Sequence, residues 1–169
     1  LQNCRSAIER SLYFCEEEEL QKKPEDGGWN ALQCIEHVNL VNEAYIKRLK
    51  KSMTLKSSSM DETPFRYGWF GSLFLKQMQP RSRAKRSFSF KAPKAVQPPS
   101  TRRGQAVFQD FQVIFDEIET LLEQSQYADL NQRIQTFVPF VKLRLGVILE
   151  LLPTHALRHI EQAERALQN

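Results

Sequence analysis

Cysteine, glycine and histidine are scarce in this sequence of 169 residues, and long apolar runs are absent. The three cysteines, Cys4, Cys15 and Cys34, are odd in number and form no Cys-x-x-Cys pair. A disulfide framework is therefore not expected, and a reducing cytoplasm is the expected location. No apolar stretch approaches the roughly 18–20 residues of a membrane span, so no membrane partner is expected. Six glycines and long stretches of 3.6-residue periodicity favour helices over sheet.

Acidic residues are missing from one long part of the chain, between Glu62 and Asp110. Within it, the segment 76–103 holds nine basic residues: Lys76, Arg81, Arg83, Lys85, Arg86, Lys91, Lys94, Arg102 and Arg103. The chain carries a net charge of +4, so everything outside this segment is net acidic. A basic segment is either a solvated connection or a surface for an acidic partner or nucleic acid. Nucleic acid is the less expected of these partners.

The apolar periodicity predicts one all-α domain over 1–169. The predicted helices cover 2–22, 30 to about 49 or 53, 69–78, about 102–126, and about 143 to the end. Asn30 and Gln33 have the residue types of a capping box at the start of the second helix. The aromatic residues of 60–80 are expected to plug one side of the bundle or to form a lid. Because four helices are long and the segment 80–103 is rich in proline, we expect a four-helix bundle with a long crossover between its second and third helices.

The chain has only three histidines, and their positions form a pattern. His155 and His159 are four residues apart on the apolar stripe of the last helix, and His37 borders the apolar stripe of an upstream helix. Two histidines one turn apart that face a third form the ligand set of a three-histidine metal site, which leaves a coordination position open. The alternative is that these are boundary histidines without a metal. Pro153 is expected to kink the last helix or to restart it just before His155.

Three motifs resemble those of the DinB family, the YfiT-like metalloenzymes. They are WNALQCIEHV around His37, FKAPKAVQPP in the crossover, and LPTHALRHIEQAERAL at the end. The resemblance extends over nearly the whole chain. It implies a four-helix bundle with up-down-down-up connectivity, and one divalent metal ion held by His37, His155 and His159. Imidazole ligands make zinc or nickel the expected ion, with iron or manganese as alternatives.

The resemblance also suggests functions. Relatives include transferases and isomerases that use low-molecular-weight thiols, so the chain is expected to act on a small molecule as a metal-dependent hydrolase or thiol (S-)transferase, with a homodimer as an option. The iron-binding domain of ergothioneine-type sulfoxide synthases has a His-x3-His-x-Glu pattern that Glu161 completes here. Those enzymes need a second, large domain, so that activity is not expected. The alternative function is a non-catalytic binding protein that uses the metal structurally and the basic crossover (76–103) as its partner surface.

Four neighbours of the histidines are further candidates. Gln162 lies on the same stripe and is expected to hydrogen-bond a histidine or a ligand. Arg158 is expected to bind an anionic substrate or to pair with a nearby glutamate. Glu161 is expected to point away from the histidines, and Cys34 either approaches the metal or packs as a small core residue. The sequence does not identify a general base.

Overall fold

The structure is a computed structural model that describes residues 1–54, 64–80, 91–99 and 104–168. The described chain is mostly helical, with six α-helices and one two-stranded antiparallel sheet. The helices are α1 (Gln2–Ser11), α2 (Glu17–Gln21), α3 (Ala31–Thr54), α4 (Gly68–Met78), α5 (Ala106–Gln124) and α6 (Leu145–Leu167). The strands are β1 (Arg133–Gln135) and β2 (Lys142–Arg144). An all-α class is therefore right in outline, with a small hairpin added.

The helix α3 lies at the centre of the fold, where it packs against both α5 and α6, while α1 and α4 pack on α6. The core between these helices is aliphatic and aromatic. Its largest fully buried side chains include Phe108, Phe111 and Phe115 from α5 and Leu145 and Ile148 from α6. In the described ranges no helix combines the length and the apolarity needed to cross a membrane. The up-down-down-up order of four long helices stays a prediction.

The predicted first helix over 2–22 is wrong, because the chain forms two helices there. The helix α1 ends at Ser11, and α2 begins at Glu17 with three glutamates in its first turn. A continuous helix would place this acidic run near the helix C-terminus, where the partial negative charge disfavours carboxylates. Breaking the helix puts the same carboxylates at an N-terminus, where they are stabilised.

The hairpin of β1 and β2 is a second departure, since no strand was predicted between the helix over about 102–126 and the helix that begins at about 143. Ile134 pairs with Leu143, and both are buried, while their neighbours along each strand point outward. Thr136 continues the pairing through a hydrogen bond from its amide to the carbonyl of Val141, 3.0 Å away. Each strand has only three residues, so the alternating pattern is too short to be recognised in the sequence.

The helix α6 continues through Pro153, so of the two outcomes expected there the restart before His155 is wrong, whereas the kink stays a prediction. A proline inside a helix removes one hydrogen bond and costs about 3 kcal/mol or more. The helix is held on either side of it by Leu152 and Ala156, which are fully buried. Burial of such side chains contributes about as much as the proline costs, so packing keeps the helix intact.

Candidate metal site

His37 is held in place by two features, a helix cap nearby in the sequence and a hydrogen bond to a distant residue. The capping box forms as predicted at the start of α3. The backbone N–H of Gln33 donates to Asn30 Oδ1 at 2.8 Å, and the backbone N–H of Asn30 donates to Gln33 Oε1 at 3.2 Å. Two turns into the helix, His37 is buried, and its Nδ1 lies 2.6 Å from the carbonyl oxygen of Val96. A carbonyl only accepts, so Nδ1 carries the proton and Nε2 keeps its lone pair for a ligand bond.

His155 and His159 lie one turn apart on α6. His159 is oriented like His37, because its Nδ1 lies 3.0 Å from Gln162 Oε1, which accepts the ring proton. His155 is buried, and its Nδ1 has no hydrogen-bond partner among the described residues. A buried ring nitrogen without a partner is unfavourable unless something absent from the protein chain satisfies it.

The three imidazoles meet between α3 and α6. One ring nitrogen from each lies within 4.8 Å of the others, close enough for the group to hold one metal ion. The ring centroid of His37 is 5.2 Å from that of His155 and 4.7 Å from that of His159. The centroids of His155 and His159 are 4.5 Å apart. The convergence predicted from the sequence spacing is therefore present.

A known protein family matches almost the whole chain. A family model described as DinB superfamily matches residues 1–163. The chain belongs to the DinB superfamily. Neither the curated proteins nor the solved structures provide a significant match. Superfamily membership together with the three-histidine cluster fits a metal-binding protein.

Burial sets the protonation state of this DinB cluster. Desolvation lowers the pKa of His155 to about 3, and the charge of Arg158, together with that of His37 whenever this ring is protonated, acts in the same direction. Desolvation likewise lowers the pKa of His159 well below its ordinary value, and that of His37 to a lesser degree against the opposing bond to Val96. All three rings are therefore neutral at pH 7, which is the state that binds a metal.

Two parts of the site are not identified by reasoning from the sequence. The half-buried ring of Trp29 lies 4.8 Å from the ring of His37 and 6.2 Å from that of His159, so it covers one side of the cluster. The other part is the Val96 carbonyl, which belongs to a short 3₁₀ turn (Lys94–Val96) of the crossover. A backbone acceptor leaves no signal in a sequence, whereas the position of Trp29 just before the helix cap is a weak one.

The other candidate residues divide between the site and its surroundings. Gln162 contacts His159 as expected. Arg158 donates from Nη1 to the carbonyl oxygen of Gln77 at 2.7 Å, so it joins α6 to the end of α4. Glu161 lies 3.8 Å from Arg165 in an ion pair along the helix surface. Cys34 is fully buried, lies outside the metal-binding group, and has its pKa raised to about 12, mainly by burial, so its thiol stays protonated.

Proposed function

We propose that this chain is a metal-dependent enzyme of the DinB superfamily that holds one divalent ion with His37, His155 and His159. The observation that carries the proposal is the convergence of three neutral imidazoles from two helices, those of His37 and His155 buried and that of His159 half-buried. Burying three polar imidazoles together costs free energy unless they have partners. A shared metal ion is the simplest partner for this arrangement of the described residues.

The residues fit a metal ion in detail. His37 and His159 each use Nδ1 for a protein acceptor, which is the usual support of a metal-ligating histidine and leaves Nε2 available. Nδ1 of His155 is buried and has no hydrogen-bond partner among the described residues, which indicates that this ring needs a ligand from outside the protein chain. Three protein ligands are typical of catalytic sites, whereas structural zinc sites usually have four. A bound divalent ion would supply Lewis-acid character to the site.

For the reaction we propose hydrolysis or thiol transfer on a small molecule, with a low-molecular-weight thiol as the candidate co-substrate. The charge of Arg158 acts on both His155 and His159, so the site is electropositive and suits an anionic group such as a thiolate or carboxylate. The chain's own Cys34 is unsuited to be the nucleophile, because it is buried and protonated. Zinc or nickel is the proposed ion, iron or manganese the alternative, and the cytoplasm the proposed location.

We also propose the up-down-down-up order for the bundle of α1, α3, α5 and α6. Two pairs of contacts support it. Asn39 bonds to the carbonyl of Val107 and Lys50 pairs with Glu117, so later residues of α3 contact later residues of α5, as in parallel helices. In the same way Cys4 contacts Pro153 and Ser11 contacts Glu164, as expected if α1 and α6 run parallel.

The decisive experiment is a metal analysis of the purified protein and of His155→Ala/His159→Ala. We expect about one divalent ion per chain in the unmodified protein and none in the double variant, with unchanged metal content in the matched core variant Cys34→Ala. The loaded protein would then be assayed for thiol transfer and for ester or amide hydrolysis. Full metal retention in the double variant would refute the site, whereas metal binding without turnover would refute only the enzymatic part.

The binding-protein alternative depends on the basic crossover. Of its nine basic residues the structure describes Lys76, Lys91 and Lys94, all exposed, and the other six lie outside the described residues. Neutralising Arg81, Arg83, Lys85 and Arg86 should leave metal content intact if the segment is only a connection, because none of the three histidines belongs to it. Salt-sensitive oligonucleotide binding that this change abolishes would favour the alternative.

A further inference from the structure

The helix α4 has large apolar side chains on the side that faces away from the protein. Trp69 is 80% exposed and Leu73 47% exposed, and they lie one turn apart. Phe70 and the preceding Tyr67 are also more than a third exposed. A surface helix ordinarily turns polar residues outward, so a helix that is apolar on both sides indicates a second contact beyond its own core.

The opposite side of α4 is already fixed to the protein. Leu75 is buried, and Gly71 lies so close to Val147 of α6 that an added Cβ would be 2.9 Å from its side chain. The helix is also fastened at both ends: Arg144 donates to the carbonyl of Arg66 at 2.5 Å, and Arg158 donates to that of Gln77. Because α4 cannot turn its outer side inward, these apolar side chains stay presented to the surroundings.

The charges around this outer face are mainly basic. Among the described residues Arg66 and Lys76 are exposed at its two ends, and Glu150 of α6 is hydrogen-bonded to Tyr67. The face is therefore apolar with a predominantly basic border. An anionic surface with an apolar interior matches both properties, because aromatic and aliphatic side chains enter the headgroup boundary while lysine and arginine contact the headgroups.

We propose that the outer face of α4, formed by Tyr67, Trp69, Phe70 and Leu73 with Arg66 and Lys76, docks on anionic lipid surfaces. This surface is separate from the metal site and does not depend on the proposed enzymatic activity. A membrane partner was not expected because no segment is apolar enough to span a bilayer, but a surface helix can bind lipid without spanning it. The bound chain would lie on the lipid headgroups with α4 against them.

Two other occupants fit less well. A symmetric dimer presents the same patch twice, so an α4 contact between two copies would bring four basic residues together against two copies of Glu150, each already bonded to Tyr67. Nucleic acid could use the aromatic rings and the two basic residues, but it offers no aliphatic environment for Leu73 at the middle of the face. The combination of aliphatic and aromatic side chains with a basic border favours lipid.

The test is flotation of the metal-loaded, full chain with vesicles of neutral lipid and with vesicles containing anionic lipid. We expect binding to the anionic vesicles only. Trp69→Ser/Leu73→Ser should weaken partitioning by about tenfold or more, because two apolar side chains leave the lipid, and Lys76→Ala should weaken it about fivefold. The matched control is Val113→Ser/Leu122→Ser, which removes two exposed apolar residues of α5 and should change nothing. Circular dichroism checks that each variant is folded.

Tryptophan emission gives a second measurement, because the chain has only Trp29 and Trp69. Binding to anionic vesicles should shift the emission to the blue, and Trp69→Phe should remove the shift while keeping the protein bound. Failure to float with anionic vesicles would overturn the proposal. So would equal loss of binding in the α5 control, or a Trp69-dependent dimer in sedimentation without vesicle binding.

Discussion

Acidifying the metal-free protein should destabilise it through His155. The pKa of His155 is about 3 in the folded protein, whereas an unfolded histidine titrates near 6.5. Between these values the unfolded chain binds a proton that the folded protein does not. Stability therefore increases with pH across this window, is fully present above pH 6.5, and is lost as the pH falls below it.

The size of the effect follows from the two pKa values. Lowering the pH from 7 to 5 protonates His155 in nearly all unfolded chains and in almost no folded ones. The resulting loss in the free energy of unfolding is about 2 kcal/mol from His155 alone. His37 and His159 have lowered pKa values as well, so they add to the loss in the same direction.

Urea unfolding at pH 7 and pH 5 measures this loss, with metal removed beforehand by a chelator. The matched variant is His155→Gln, which keeps a polar side chain but does not titrate. Its loss between the two pH values should be smaller than that of the unmodified protein by about 2 kcal/mol. Equal losses in the two proteins, or no loss in the unmodified one, would refute the claim that His155 is buried as a neutral ring.

Three further predictions concern the site and its supports. Gln162→Leu removes the acceptor that orients His159, so zinc affinity should fall by about 10–100-fold; calorimetric titration would show this, and unchanged affinity would mean that the contact has no orienting role. Because the three ring pKa values are lowered, zinc affinity should fall between pH 7 and 5.5 by much less than the loss on the order of 500-fold expected for three rings of ordinary pKa. A loss of that full size would contradict the stated burial. Gly71→Ala should destabilise the protein by about 1–3 kcal/mol through its contact with Val147; the exposed neighbour Ser72→Ala is the control, with an expected change within about 0.5 kcal/mol in urea unfolding.

The structural features that were predicted correctly depend on residues close together in the sequence. The capping box of Asn30 and Gln33 and the stripe that carries His155 and His159 depend on residues one turn apart, and both are present in the structure. The bounds of α4 and the body of α5 were also predicted to within a few residues. In each of these cases helix periodicity decides the structure without help from distant residues.

The sequence was insufficient wherever a distant contact decides. Whether α6 survives Pro153 depends on packing around Leu152 and Ala156, which no local pattern contains. One local cause was missed as well, because the break between α1 and α2 depends on helix-end electrostatics that periodicity does not register. The orientation of His37 depends on a backbone carbonyl of the crossover, and backbone groups are the same for nearly every residue type.

The bond between His37 and Val96 has a kinetic consequence. Its two partners are separated by 59 residues along the chain, so it can form only after a long loop has closed, and such contacts are slow to form. The helix α3 can therefore be complete while its histidine ring is still free to rotate. In refolding experiments zinc binding should lag behind the recovery of helical signal. The site can bind zinc only after the crossover has reached its native position and oriented His37, which is later than helix formation.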